Sequence, residues 1–307
     1  MIEHFLEIDD LDAASLARVL DRAQAWKRER IPKVLDGRAA VLFFEKPSAR
    51  TRVSTDLAVH SLGGYPVYVR GEEVGLEVRE STADVARTFG SFCDLVCARV
   101  FDDRTLRTFA GCAGVPVVNL LSDVAHPCQA LADLVTLRDA LGALEGARVA
   151  YIGDGNNVAA SLALGAALTG VELAVATPAG YELTPEVLAR ARNLGGEITT
   201  TSDPYAAVRG VDAVYTDVWT SMGQEAEVDR RRVAFAGFQV DAALMEVAGE
   251  GAIFLHCLPA HRGEEVAADV IDGPRSRVWE QAANRMHAVR ALLPELIDVE
   301  GEVDART

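Results

Sequence analysis

The chain has 307 residues, half of them hydrophobic, which is enough for two domains that each bury a core. A formal net charge of -16 opposes non-specific nucleic-acid binding, because the overall field repels phosphates. No run approaches the roughly 20 apolar residues that cross a bilayer, and Met1-Ile2-Glu3-His4-Phe5-Leu6 lacks a secretory pattern, so no membrane partner and a cytoplasmic location are expected.

Along the chain, apolar runs alternate with helical patterns, the mark of α/β architecture. A helix is expected from Leu11 to Arg30, with Leu16, Val19, Leu20 and Ala23 as its apolar stripe. Strands are expected at Ala39–Phe44, Tyr65–Val69, Leu95–Ala98 and Val115–Asn119. Helices near Arg50–Ser61, Ser81–Ser91 and Arg104–Cys112 lie between them. After a helix around Gln129–Leu141, a second series runs through Arg148–Ile152, Glu172–Ala176, Ile198–Thr201, Ala213–Thr216 and Ala252–His256, with helices at Asn157–Leu168 and Pro185–Leu194. A final helical pattern spans about Trp279 to Leu293 and is expected to return to the first domain. The fold class is therefore two parallel-sheet α/β domains, the second Rossmann-like. The expected division is 1–134, completed by about 279–307, and 135–278.

Four segments carry chemistry. Phe44-Glu45-Lys46-Pro47-Ser48-Ala49-Arg50-Thr51-Arg52 passes from strand to helix, where free N–H groups and the positive end of the helix dipole favour an anion. Ser48 and Thr51 add hydroxyls and Arg50 a forked guanidinium suited to phosphate. The competing reading is a serine N-cap beside solvated basic residues. His126-Pro127-Cys128-Gln129 places His126 just outside a helix whose first turn holds Pro127. There His126 can donate to a carbonyl oxygen as charge builds on it, although capping is an equally common role for such a histidine.

Asp217-Val218-Trp219-Thr220-Ser221-Met222-Gly223 follows a strand, so Asp217 points to the crevice where parallel sheets bind ligands and suits an ammonium group. A turn aspartate before a flexible loop is the alternative. His256-Cys257-Leu258-Pro259 also follows a strand. Leu258, preceding proline, is expected to be extended and to expose carbonyl acceptors, and Cys257 is read as orienting rather than nucleophilic. Two weaker signals remain. Gly153-Asp154-Gly155-Asn156-Asn157 looks like a dinucleotide loop but lacks its third glycine, with Val158 in that place, and no acid ends the next strand, which disfavours a nicotinamide cofactor. Arg99 ends another strand on the side of the first segment, where a surface ion pair is the alternative.

The five cysteines, Cys93, Cys97, Cys112, Cys128 and Cys257, are odd in number and scattered, which is no disulfide framework. Cys93 and Cys97 have no second pair or histidine cluster to complete a zinc set, so buried thiols and no metal site are expected. Only Lys27, Lys33 and Lys46 are lysine among 30 basic residues. An acidic, lysine-poor surface suits a salt-rich cytosol, and a halophilic host is the expectation; GC-rich coding is the competing cause.

In this order, the segments resemble the carbamoyltransferase family from about Phe5 to Leu293. Ser48-Ala49-Arg50-Thr51-Arg52 with His126-Pro127-Cys128-Gln129 is similar to the family's carbamoyl phosphate site, and the segments at 217–223 and 256–259 resemble its ornithine-specific branch. The resemblance implies that Ser48, Ala49, Arg50 and Thr51 hold the phosphate. It gives Arg99, His126 and Gln129 the carbamoyl carbonyl and bridging oxygen, and has Arg285 also reach the carbamoyl phosphate. It gives Asn157, Asp217, Ser221 and Met222 the α-amino and carboxylate groups of ornithine, and Cys257 and Leu258 the side-chain amine. Arg50, Arg99, His126, Asp217, Cys257 and Arg285 are thereby the expected catalytic set. No metal or organic cofactor is implied; a homotrimer is. Two positions depart from the family pattern: Gly75 stands where glutamine is usual, in a loop that reaches a neighbouring subunit, and Ala49 replaces a common threonine.

Overall fold

The computed structural model describes residues 2–220 and 225–297. Its contacts divide the chain into two compact units, Met1–Ala132 with Ala283–Thr307, and Asp133–Ala282.

The first unit is built on four parallel strands, β1 (Ala39–Phe44), β2 (Tyr65–Arg70), β3 (Leu95–Arg99) and β4 (Val117–Leu121), in the order β2-β1-β3-β4. β3 is buried along its whole length, as its continuous apolar run requires. Phe43 packs on Phe89 and Phe109, with ring centroids 6.0 and 5.3 Å apart, and fixes the helices Thr82–Gly90 and Asp103–Cys112 against the sheet. β4 begins two residues later than expected. Pro116 has no N–H to give a neighbouring strand, and only its carbonyl serves, accepting from Val96 N at 3.0 Å.

The strand order reverses between β1 and β3, which opens a crevice at their carboxyl ends. Glu45 ties those two exits together: its backbone N donates to Arg99 O (2.9 Å) and its carboxylate accepts from Phe101 N (2.8 Å). The helix Ala49–Ser61 leaves the same edge, capped by Ser48 Oγ, which accepts from Thr51 N at 3.3 Å. A serine cap of this kind contributes about 1 kcal/mol.

The second unit has five parallel strands, β5 (Arg148–Ile152), β6 (Glu172–Ala176), β7 (Ile198–Thr201), β8 (Ala213–Thr216) and β9 (Ile253–His256), ordered β7-β6-β5-β8-β9. Its reversal falls between β5 and β8, at Gly153–Asn156 on one side and Asp217 on the other. The helix Asn157–Thr169 is apolar all round and buried from Val158 to Ala167. Gly155 has no alternative: a Cβ there would lie 2.5 Å from Leu183 N. The loop that looked like a dinucleotide cradle is packed against 181–183, and Gly155 N donates to Tyr181 O at 2.8 Å.

Several short helices were not legible beforehand: Gly71–Val74, Pro204–Ala207, Val228–Ala234, Ala242–Ala248 and Ala268–Ile271. Elements this short cannot display a repeating apolar stripe. The first of them explains Gly75. That residue ends the turn in the left-handed region (φ 67°), donating its N–H to Gly71 O at 2.8 Å, where a glutamine would be strained. No described helix is long and apolar enough to cross a membrane.

Candidate active site

In the first unit, the end of β3, the start of the helix Ala49–Ser61, the start of the helix Pro127–Leu141 and the helix Val278–Leu292 each deliver a side chain to one cluster. Thr51 Oγ1 is its centre. It accepts from Arg285 Nη2 (3.0 Å), from Arg99 Nη1 (3.4 Å) and from Ser48 Oγ (3.0 Å). Arg285 Nη1 donates to Gln129 Oε1 (2.5 Å) and approaches His126 Nε2 (3.5 Å). Two buried guanidinium groups are thus held side by side by neutral acceptors, with no carboxylate among these contacts. The forked N–H donors of two adjacent buried guanidinium groups match the oxygens of an anionic ligand.

Burial pushes the His126 imidazole well below its usual range, and repulsion from Arg285 and Arg99 adds to the effect. The ring is therefore neutral at pH 7. Because a guanidinium only donates, Nε2 accepts at the Arg285 contact and the ring proton sits on Nδ1. Arg50 differs from this locked group: it is exposed at the first turn of its helix and has no hydrogen-bond or ion-pair partner among the described residues. Lys46 is a feature the sequence left without a role. Its Nζ lies 4.4 Å from the Phe101 ring, and half-burial, reinforced by Arg99, lowers its pKa.

In the second unit, Asp217 leaves β8 and is 5% exposed. Its Oδ1 accepts from Cys257 Sγ (2.9 Å) and its Oδ2 from Asn156 Nδ2 (2.9 Å). Both partners are donors of no formal positive charge. The expectation named Asn157, which begins the following helix, half-exposed. The neighbouring Asn156 is the residue that grips Asp217. Its Oδ1 also caps that helix, accepting from Val158 N and Ala159 N at 2.9 and 3.2 Å.

Arg231 Nη1 donates to Asp154 Oδ2 (2.6 Å) and to Trp219 O (2.8 Å). Burial pushes Asp154 upward despite that contact. Ser221, Met222 and Gly223 lie outside the described residues.

Leu258 corrects an expectation. It is not extended but left-handed, with φ 59°, and the Leu258–Pro259 peptide is cis. The general bias of a residue before proline yields here to a hydrogen bond from Leu258 N to the side chain of His256, two residues back, at Nδ1 (2.9 Å). Among the described residues, Asp217, His256 and Cys257, and separately His261, Glu264 and Glu265, have ligand-type atoms within 4.8 Å of one another. In the first group those atoms already bond to one another or to the adjoining backbone, which leaves the donor set for a metal largely engaged. Cys93, Cys97 and Cys128 are buried free thiols, and burial raises Cys128 to about 12.

Residues 3–139 match the aspartate/ornithine carbamoyltransferase carbamoyl phosphate-binding domain, and residues 145–296 match the aspartate/ornithine-binding domain of the same family. The chain belongs to the aspartate/ornithine carbamoyltransferase family. An ornithine carbamoyltransferase of Acidothermus cellulolyticus is 49% identical over 307 residues, covering 98% of each chain. Among solved structures, the ornithine carbamoyltransferase of Pyrococcus furiosus superposes with a TM-score of 0.92 at 43% identity, covering 96% of this chain and 97% of its own. That of Thermus thermophilus gives 0.89 at 44% identity, covering 97% and 100%. Ser48, Thr51, Arg99, His126 and Gln129 fall within 3–139, and Asn156, Asp217 and Cys257 within 145–296.

Proposed function

We propose that this protein transfers the carbamoyl group of carbamoyl phosphate to the side-chain amine of L-ornithine, giving L-citrulline and phosphate. The observation that carries the reading is the Arg99–Thr51–Arg285 cluster with neutral His126 and Gln129 beside it, a receptor for an anionic, carbonyl-bearing substrate. The first unit is assigned carbamoyl phosphate, with Ser48, Ala49, Arg50 and Thr51 at the phosphate. Arg99, His126, Gln129 and Arg285 take the carbonyl and bridging oxygens. The second unit is assigned ornithine, with Asp217 at the α-amino group, Asn157, Ser221 and Met222 as further contacts, and Cys257 and Leu258 at the side-chain amine.

Carbamoyl phosphate binds first and brings its negative charge to the arginines. The neutral amine nitrogen of ornithine then attacks the carbonyl carbon. A C–N bond forms, and negative charge collects on the carbonyl oxygen facing the His126 and arginine donors. The bond from carbon to the bridging oxygen breaks, phosphate leaves with the electron pair, and the amine proton is released. Holding two small substrates together and excluding water supplies most of the acceleration. The same site runs in reverse when citrulline and phosphate are supplied. No step calls for a metal.

Citrulline measured colorimetrically, with and without ornithine, tests the reading; no ornithine-dependent product would end it. Putrescine or an acylated ornithine is the rival acceptor. Putrescine keeps a second amine for Asp217 but has no carboxylate for the remaining contacts to hold, so carbamoylation of the diamine is expected to be weak beside citrulline formation. A homotrimer is part of this reading. It is supported by exposed Val53 and Leu57 on the helix Ala49–Ser61, and by exposed Tyr65 and Val67 on the edge strand β2. Light scattering is expected to give the mass of three chains. A cytoplasmic location and a salt-rich host also belong to the proposal, the latter resting on the charge of -16; full stability in low salt would remove it.

A further inference from the structure

Behind the Cys257–Leu258 turn lies a buried pair that the reaction as described does not use. His256 ends β9 and is 1% exposed; Glu265 is 0% exposed. Leu258 N donates to His256 Nδ1 at 2.9 Å, so that nitrogen is the acceptor and the ring proton belongs to Nε2. Nε2 in turn faces Glu265 Oε1 at 3.1 Å. The same oxygen accepts from His261 N at 2.6 Å, so both ends of the 257–260 turn converge on one carboxylate oxygen. Glu265 is itself fixed, because its carbonyl accepts from Val240 N at 2.9 Å and the flanking Glu264 carbonyl accepts from Gln239 Nε2 at 2.7 Å. On the other side, His256 N donates to Gln281 Oε1 (2.9 Å), Gln281 Nε2 donates to Asp133 Oδ1 (2.7 Å), and Tyr215 OH donates to Asp133 Oδ2 (3.1 Å).

We infer that Glu265 and His256 are positioning residues for the acceptor amine, acting through the left-handed Leu258 backbone and the Cys257 thiol seated on Asp217. An isolated turn has no reason to hold a leucine at φ 59°. The Leu258 N to Nδ1 bond holds it there. That bond needs the neutral tautomer with its proton on Nε2, and the buried carboxylate selects that tautomer. A solvent-exposed acid would be screened and mobile; at full burial it fixes the ring and the turn together. The inference rests on ornithine as the acceptor, since it concerns the segment assigned to the side-chain amine.

Glu265→Ala is expected to lower kcat/KM for ornithine by about tenfold or more, while the dissociation constant for carbamoyl phosphate stays within about twofold. Glu265→Gln keeps an oxygen that accepts both bonds and is expected to recover most of that loss. His256→Asn retains an acceptor for Leu258 N without the reach to Glu265; it is expected to fall between the two, and it serves as the test if Glu265→Ala does not fold. A second readout needs no substrate. Alkylation of Cys257 by iodoacetamide, followed by mass spectrometry, is expected to speed up about fivefold or more when the turn loses Glu265.

An ornithine kcat/KM left unchanged by Glu265→Ala, a loss shared equally by both substrates, or an unaltered Cys257 rate would overturn the inference. Citrulline formation by the unaltered protein reports on the assigned reaction alone. If that fails while the Cys257 rate responds, the choice of ornithine falls and the coupling of Glu265 to the turn stands.

Discussion

Each unit carries its polar cluster at the reversal point of its parallel sheet, yet one cluster is built on guanidinium groups and the other on a carboxyl group. In the first unit, Arg99 and Arg285 are buried and share Thr51, Gln129 and His126 as neutral neighbours. In the second, one carboxylate, Asp217, is held by the neutral donors Asn156 and Cys257. The sheet supplies the crevice, and the residues that end the strands decide whether it receives an anion or a cation.

The largest effect should come from the cationic side. Arg50→Ala is expected to lower turnover by about 10²–10³-fold or more and to weaken carbamoyl phosphate binding with it. Retained affinity for carbamoyl phosphate would show that the phosphate lies elsewhere. Asp217→Asn should separate the halves: kcat/KM for ornithine falls by about 10²-fold, while equilibrium binding of carbamoyl phosphate is unchanged. Equal damage to both would mean that the two sets do not serve different substrates.

Asn156→Ala is a smaller perturbation with two readings. Losing the donor to Asp217 is expected to raise the KM for ornithine by about tenfold, and losing the helix cap to reduce stability by about 1 kcal/mol in urea denaturation. Asn157→Ala should leave the stability reading near that of the unaltered protein. A cap loss confined to Asn157 would reverse the assignment of the two asparagines.

The smallest effect concerns pH. His126 is held below its unfolded value of about 6.5, so the folded protein excludes a proton that the unfolded chain accepts. Its contribution is fully present above pH 6.5 and is lost as pH falls below it, by at most about 1.4 kcal/mol per pH unit. His126→Gln is expected to flatten that part of the stability profile measured by urea unfolding between pH 7 and 5.5. With the imidazole neutral across the working range, a rate that rises above neutrality reflects deprotonation of the acceptor amine. A rise that disappears in His126→Gln, with chemistry still rate-limiting, would point to the imidazole instead.

The cationic set was legible because its members sit at strand ends and helix starts whose local geometry already favours an anion, as at Ser48–Thr51 and His126–Gln129. Asp217 was legible for the same reason. Asn156, the Arg231 anchor on Asp154 and Trp219, and the Glu265–His256 pair were not. Arg231 lies 77 residues from Asp154 and Asn156 lies 61 from Asp217, and nothing local marks such partners. The Thr51–Arg285 contact, across 234 residues, became readable only through its likeness to a known pattern.

By itself the sequence determined the alternation of buried strands and amphipathic helices, the anion-favouring helix starts and the acid beyond β8. Those depend on near neighbours along the chain, through hydrophobic spacing, capping and the helix dipole. Only the tertiary structure decided which arginines share Thr51, which asparagine holds Asp217, and that Leu258 turns left-handed. The first two outcomes are hydrogen bonds between distant segments, and the third is a bond to a histidine two residues back whose ring is itself fixed by buried Glu265. Inside a buried, low-dielectric space an unpaired polar group costs several kcal/mol, so the packed fold overrides local backbone preference.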